Sequence, residues 1–130
     1  MYLIDTNIFL EILLSQTRKD VCKEFLASNI ENIYISDFSI HSIGVILFRN
    51  NKESIFNKFV KDTFGKIKIL TLSEELYSDL GNIKEKFGLD FDDAYQYVAA
   101  ETHNLITSSF DNDFDRTDRG RKEPLEVAGL

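Results

Sequence analysis

The sequence predicts an α/β fold: a three-layer sandwich with a mostly parallel sheet of four to five strands and helices on both faces. Three observations predict it. Short apolar or β-branched runs recur at Tyr2–Ile4, Asn32–Ser36, Lys66–Leu72 and Leu105–Ser108. Between them lie segments whose apolar residues return every three or four positions, the period of an amphipathic helix. Strands that alternate with helices join through right-handed crossovers, which leaves neighbouring strands parallel. The chain of 130 residues has no internal repeat, no low-complexity tract and no Pro-, Gly- or Ser-rich linker. Residues 1–130 are therefore read as a single domain, long enough to enclose a hydrophobic core.

Tyr2, Leu3 and Ile4 are expected to form a buried strand. Asp5, Thr6 and Asn7 are helix-starting types, and Ile8 to Leu14 continues as a strongly apolar helix. Arg18–Ser28 carries Val21, Cys22, Phe25 and Leu26 as a two-turn apolar stripe. After the strand at Asn32–Ser36, the segment Asp37–Phe48 is apolar enough for a buried helix capped by Ser36 or Asp37. Ser54–Phe64 places Phe56, Phe59, Val60 and Phe64 at helical spacing, and a third strand follows in Lys66–Leu72. Ser73 is the expected cap of the next helix, with Glu74 and Glu75 matching its dipole, a stripe of Leu76, Leu80, Ile83 and Phe87, and Gly88 as terminator. Asp90–His103 is a further helix and Leu105–Ser108 a fourth strand. The polar tail from Asp111 ends in an expected edge strand around Leu125–Val127.

The composition is that of an ordinary globular chain, 43% hydrophobic and 28% charged, with 11 Phe, 5 Tyr and no Trp. A lone Cys22 excludes an internal disulfide, and its place on an amphipathic stripe makes it a small core residue suited to a reducing compartment. There is no basic leader segment and no long uncharged apolar run, so a cytoplasmic protein with no membrane association is expected. The net charge of −7 disfavours a general-purpose nucleic-acid binder, which needs Lys and Arg for phosphate. It is compatible with an acidic cluster neutralised by a divalent metal.

Such a cluster has three sources. Asp5 follows the first strand, at the carboxyl edge where open α/β sheets bind their ligands. Asp92 and Asp93 lie in the first turn of the helix that Asp90 can cap. Asp111 and Asp113 lie just past the fourth strand. Each group has a plain structural account: Asp5 as a helix cap, Asp92 and Asp93 as dipole-matching residues, Asp111 and Asp113 as a solvated loop. Capping alone does not account for three acidic groups at one sheet edge, where like charges repel unless a cation lies among them. Carboxylate oxygens suit Mg²⁺ or Mn²⁺ rather than zinc, and no Cys or His pair stands at zinc spacing. The run Asp111, Asp113, Asp115 is not a calcium loop, because Arg116 stands where glycine is needed and Lys122 where glutamate is needed. A carboxylate cage with one or two divalent ions can activate water for phosphodiester hydrolysis.

Leu3-Ile-Asp-Thr-Asn7, Asp92-Asp-Ala-Tyr-Gln96 and Thr107 through Asp111-Asn-Asp-Phe114 resemble the acidic motifs of PIN-domain ribonucleases. The resemblance runs across essentially the whole chain in element order and size, so the expected fold is PIN-like. It implies an Mg²⁺- or Mn²⁺-dependent endoribonuclease of the VapC-like kind, the toxin of a toxin–antitoxin pair, with an RNA substrate, an antitoxin partner and a homodimeric assembly. It also implies that Asp5, Asp93 and Asp111 are the catalytic, metal-holding carboxylates. Thr6 and Asn7 would orient Asp5, and Asp113 would support the site.

One motif departs from the family pattern. Where Ser-x-x-Thr-x-x-Glu is usual, this chain has Ser36-Asp-Phe-Ser-Ile-His-Ser42, with Ser42 in the glutamate position and His41 beside it. The missing carboxylate leaves three accounts open: His41 as a ligand or proton carrier or as a packing residue, Glu11 or Asp92 as a replacement charge, or a PIN-like RNA- or protein-binding module with weak or no nuclease activity. The tail supplies Arg116, Arg119, Arg121 and Lys122, either as contacts to the RNA backbone or as a solvated loop.

Overall fold

A computed structural model describes residues 1–127. Four strands, β1 (Tyr2–Ile4), β2 (Ile33–Ser36), β3 (Lys68–Leu70) and β4 (Ile106–Ser108), form one parallel sheet in the order β3-β2-β1-β4. The strands are short and their side chains alternate between the two faces, as a period of two demands. Leu3, Tyr34 and Leu70 enter one hydrophobic layer, whereas Tyr2, Ile4, Ile33 and Ile35 enter the other.

The helices divide according to the direction of winding. From β1 the chain moves outward to β2 through α1 (Thr6–Leu13) and α2 (Lys19–Ser28). It then reaches β3 through α3 (Asp37–Arg49) and α4 (Glu53–Thr63). Two right-handed crossovers in one direction put these helices on one face, where Phe9, Cys22, Phe25, Ile43, Leu47 and Phe59 pack together. The return to β4 passes β2 and β1 and reverses direction, so α5 (Leu80–Phe87) and α6 (Phe91–His103) cover the opposite face. The result is the predicted three-layer α/β sandwich. Among the described residues no helix is long and apolar enough to cross a membrane.

Most elements start where the sequence supplies a cap. Asp5 accepts from the Thr6 amide, Ser36 from that of Ser39 and Asp90 from that of Asp93, each opening a helix. Gly88 ends α5 with φ of 70°, in the left-handed region that glycine enters without steric cost. Cys22 is fully buried on α2, and burial pushes its thiol up to about 11, as expected of a packing residue. Val21 and Phe64, assigned to apolar stripes from the sequence, face outward instead.

Two expectations are corrected. Ser73 makes no side-chain cap, and Glu74–Asp79 tightens into a 3₁₀ segment before α5 begins at Leu80. The expected edge strand at Leu125–Val127 is a short helix, α7 (Pro124–Val127). Proline at the first helical position has the right φ and lacks only an N–H that a helix would leave unpaired. The sheet beside β4 receives a single parallel bridge from Lys122, whose amide donates to the Thr107 carbonyl at 2.9 Å and whose carbonyl accepts from Ser109 at 3.1 Å. Four strands form the sheet, at the lower end of the predicted range.

Ser108, at the end of β4, is fully buried, and its hydroxyl has no hydrogen-bond partner among the described residues. Its register partner on β1 is Ile4, which belongs to the layer of α1–α4. An unpaired buried hydroxyl costs about 1–3 kcal/mol. Ser108→Ala is therefore expected to be neutral or to raise stability by about 1 kcal/mol in urea unfolding, and a loss of more than that would show that the hydroxyl is paired in solution.

Candidate functional site

The strand order creates one crevice. The chain leaves β1 toward β2 on one side and returns to β4 on the other, so the carboxyl ends of β1 and β4 flank the point where the winding reverses. Connections depart from this point in opposite directions and leave a gap that ligands of parallel α/β sheets occupy. Asp5 follows β1 there and is tied to β4 by its amide, which donates to the Ser108 carbonyl at 2.9 Å. Ser109, Phe110 and Asp111 follow β4, and the first turn of α6 brings Asp92 and Asp93 over the same edge. The cleft holds about 170 Å³ and is lined by Thr6, Asn7, Leu10 and Phe38 together with Asp5, Asp92, Asp93 and Gln96.

The carboxylates divide into those held by backbone and those left to face each other. Asp90 accepts the Asp93 amide at 3.1 Å and so takes the capping role on α6. Asp93 is thereby released from capping, although it is buried. One carboxylate oxygen each from Asp93, Asp111 and Asp113 lies within 4.8 Å of the others. Burial first, then the charges of Asp111, Asp90 and Asp5, push the Asp93 carboxyl up to about 8. Burial likewise raises Asp5, opposed by hydrogen bonds from Ser109, Gln96 and Thr6 and reinforced by the charge of Asp111. Asp92, which is exposed at the cleft edge, is raised by desolvation and by Asp90. The donor set is hard oxygen, and its members repel one another. A divalent cation of the Mg²⁺ or Mn²⁺ type fits both facts.

Asp5 lies beside this trio in a bed of donors. Its Oδ1 accepts from the Thr6 amide at 2.8 Å and from Gln96 Nε2 at 3.1 Å. Its Oδ2 accepts from the Ser109 hydroxyl at 2.7 Å and from Asn7 Nδ2 at 3.4 Å. The Thr6 hydroxyl reaches away to Ser39 Oγ at 2.9 Å, and Asn7 also donates to Ser109 Oγ at 3.3 Å. Asp111 caps the 3₁₀ segment Asn112–Arg116 by accepting the Asp113 amide at 2.9 Å.

Three residues at the site were not singled out in the sequence. Ser109 bridges Asp5 to the Asp111 amide, which donates to its hydroxyl at 2.9 Å. Ser39 and Gln96 link α3 to α6 beneath Asp5. The sequence does carry a signal for Gln96. It is three positions after Asp93, on the same helical face, in a segment otherwise made slim and apolar by Ala94, Ala99 and Ala100. The Ser109 signal is weaker, since a serine after a strand is ordinary loop composition.

The motif that departs from the pattern is also located. His41 is exposed and Ser42 half-buried on α3, and neither lines the cleft. The expectation of His41 as a packing residue does not hold. Glu11 does not supply the missing charge, because it accepts the Arg18 amide at 3.0 Å and pairs with the Arg18 guanidinium at 3.2 Å. That guanidinium lies 3.5 Å above the Phe110 ring, so the group fastens the α1–α2 turn to the loop after β4.

The tail cations do not form one patch. Arg116 pairs with Asp113 at 2.7 Å and donates to the Gly88 carbonyl at 2.6 Å, at the edge of the acidic cluster. Arg121 is turned inward onto Asp115, Glu123 and the Ser109 carbonyl. Arg119 bonds to Asn104 and to the Leu105 carbonyl, at the amino end of β4 rather than its carboxyl end. Lys122 is fixed by its backbone and its side chain is exposed.

A family model described as PIN domain matches residues 2–120. No curated protein sequence matches the chain. Among solved structures, a toxin–antitoxin complex from Klebsiella pneumoniae aligns with a TM-score of 0.76 at 21% identity, over 95% of this chain and 98% of that one. VapC20 of Mycobacterium tuberculosis, described as a sarcin–ricin loop cleaving toxin, aligns with a TM-score of 0.76 at 14% identity, over 88% and 93%. VapBC2 of Rickettsia felis, bound to a DNA fragment from its promoter, aligns with a TM-score of 0.73 at 18% identity, over 94% and 96%. At these identities the structures establish a shared fold.

Proposed function

The chain belongs to the PIN domain family, and on that premise we propose that it is a divalent-metal-dependent endoribonuclease acting as the toxin of a toxin–antitoxin pair. The observation that carries the reading is the convergence of Asp93, Asp111 and Asp113 at the strand-order switch point beside Asp5. Asp5, Asp93 and Asp111 are the metal-holding carboxylates, and Asp113 joins them. Of the four bonds to Asp5, the one from Asn7 at 3.4 Å is the weakest and the one a cation would displace. When bound, Mg²⁺ or Mn²⁺ supplies Lewis acidity and lowers the pKa of water for attack at phosphorus. Thr6 holds Asp5 through its backbone amide, and Asn7 and Ser109 hold the second oxygen. Asp92 adds charge at the mouth of the cleft.

RNA phosphate is the substrate group. The net charge of −7 repels it, so binding depends on the cation in the cleft and on local bases. Arg116 is the first of these. Its exposed pair with Asp113 is of the kind worth about 0–1 kcal/mol, so it exchanges readily for phosphate. Lys122 is the second, while Arg119 and Arg121 brace the tail. The toxin–antitoxin complex from Klebsiella pneumoniae among the structural neighbours supports an antitoxin partner, and a homodimer belongs to the same reading.

Incubation of purified protein with unstructured and structured RNA in Mn²⁺ tests the reading. Cleavage is expected in the wild type and a loss of at least about a hundredfold in Asp5→Asn, a magnitude typical of removing one electrostatic contact to the reacting centre. Equal cleavage by both proteins would sink the assignment. Ser42, which leaves α3 without its usual carboxylate, favours a second reading as a PIN-fold RNA- or protein-binding module. That reading gains if RNA is retained but not cut.

A further inference from the structure

We infer that Gln96 is a positioning residue for Asp5, with its amide set by Ser36 and Ser39 so that a neutral hydrogen-bonded chain from α3 does what a carboxylate on α3 does not do here. The inference rests on the metal-dependent reading above. It starts from the bonding of one buried amide. Gln96 Oε1 accepts from the Ser36 hydroxyl at 2.7 Å. Its two Nε2 hydrogens go to Ser39 Oγ at 2.8 Å and to Asp5 Oδ1 at 3.1 Å. Gln96, Ser36 and Ser39 are all buried.

Both hydrogens and the oxygen of this amide therefore have partners, and the Asp5 carboxylate fixes its orientation. Rotating the amide by half a turn would set Oε1 against the Asp5 carboxylate, oxygen against oxygen, whereas the serine hydroxyls can donate or accept in either orientation. Ser36 is itself immobilised, because its oxygen accepts the Ser39 amide at 3.1 Å as the α3 cap. The start of α3 thus anchors the Gln96 amide in place, and the amide in turn holds Asp5 Oδ1. With Oδ1 held by Thr6 and Gln96, rotation of the carboxylate about its own axis is blocked. Oδ2 is left on the side of Ser109, whose hydroxyl also binds the Asp111 amide.

An apolar residue would serve packing at position 96 as well as its neighbours Ala99 and Ala100 do. Leucine there would leave Ser36, Ser39 and Asp5 Oδ1 each short of one bond. Ser42 lies one turn further along α3 and adds no charge, so the contribution of α3 to the site passes through Ser36 and Ser39 into Gln96.

The test is Mn²⁺ affinity by titration calorimetry, with thermal melts recorded on the same samples. Wild type is compared with Gln96→Leu, with Ser36→Ala, and with Val98→Ala as a control for loosening of the buried α6. Partners that orient metal-holding groups typically change metal affinity by about 10–100-fold when removed. Gln96→Leu is expected to weaken Mn²⁺ binding by at least about tenfold, with Val98→Ala within twofold of wild type. Ser36→Ala leaves Gln96 in place but frees its amide, and it gives a smaller loss in the same direction. It carries the test if the leucine variant does not fold. Saturable binding by wild type and equal binding by Gln96→Leu or, failing that, Ser36→Ala overturns the inference and leaves the metal-dependent reading standing. An equal loss in Val98→Ala also overturns it, since the effect is then general. Absence of saturable Mn²⁺ binding in wild type overturns both.

Discussion

Asp93→Asn is expected to abolish Mn²⁺-dependent RNA cleavage and, in the same protein without metal, to raise thermal stability. The two effects have one cause. Asp93 is buried at the start of α6, facing Asp111 and Asp113, and its carboxyl is pushed up to about 8 by burial and by three neighbouring acids. Neutral asparagine removes the repulsion and keeps the shape. On the proposed reading, in which Asp93 holds the metal, the cleavage rate is expected to fall by about a hundredfold or more. In EDTA at pH 8 the melting temperature is expected to rise by a few degrees, corresponding to about 1 kcal/mol. A variant that loses activity and also loses stability in EDTA would mean that Asp93 is a structural acid.

Stability without metal should fall as the pH rises from about 5 to about 8.5, the reverse of an ordinary protein stabilised by ion-paired carboxylates. The folded protein holds the Asp93 proton up to about pH 8, whereas the unfolded chain releases it near its ordinary value of 3.8. Between those values the folded state binds more protons, so each step upward in pH favours unfolding. Asp5, also raised by burial, acts in the same direction. The stabilisation is therefore complete below the unfolded value and is lost as the pH passes through the folded one. Saturating Mn²⁺ reverses the trend, because cation binding competes with the proton and adds about 2.7 kcal/mol at a hundred times its dissociation constant. Melting curves at pH 5.5, 7 and 8.5 in EDTA and in Mn²⁺ decide the matter. A flat profile in EDTA would mean that the carboxylates lie farther apart in solution than in the structure.

Much of the site was legible because its residues also perform local jobs. Asp5 caps α1 and Asp90 caps α6, so each appears in the sequence as a helix-start signal, while Asp111 appears as an acid just past an apolar strand and in the structure caps the 3₁₀ segment that follows. Asp93 was legible as the acid beyond what the cap needs. The tail was less legible. Arg119 and Arg121 look like members of a basic run, yet one reaches the far end of β4 and the other is turned inward onto Asp115 and Glu123. Sequence adjacency says that charges are near in the chain, but the direction of each side chain is set by carbonyls and acids brought from elsewhere. The misplaced fifth strand has a similar origin. Leu125 and Val127 have strand-like character, and Pro124 decides otherwise by fixing φ where a helix can begin.

The sequence by itself determined the three-layer α/β class, the caps, and three acids destined for one edge, since these follow from period, propensity and the handedness of crossovers. The tertiary structure alone decided that Gln96, Ser39 and Ser109 surround Asp5, and that Glu11, His41 and Ser42 stand outside the cleft. Hydrogen bonds across intervals of 57, 91 and 104 residues are fixed only when the layers pack. At that stage the direction of a buried amide or hydroxyl follows from the partners it must satisfy, and those partners lie far away in the chain.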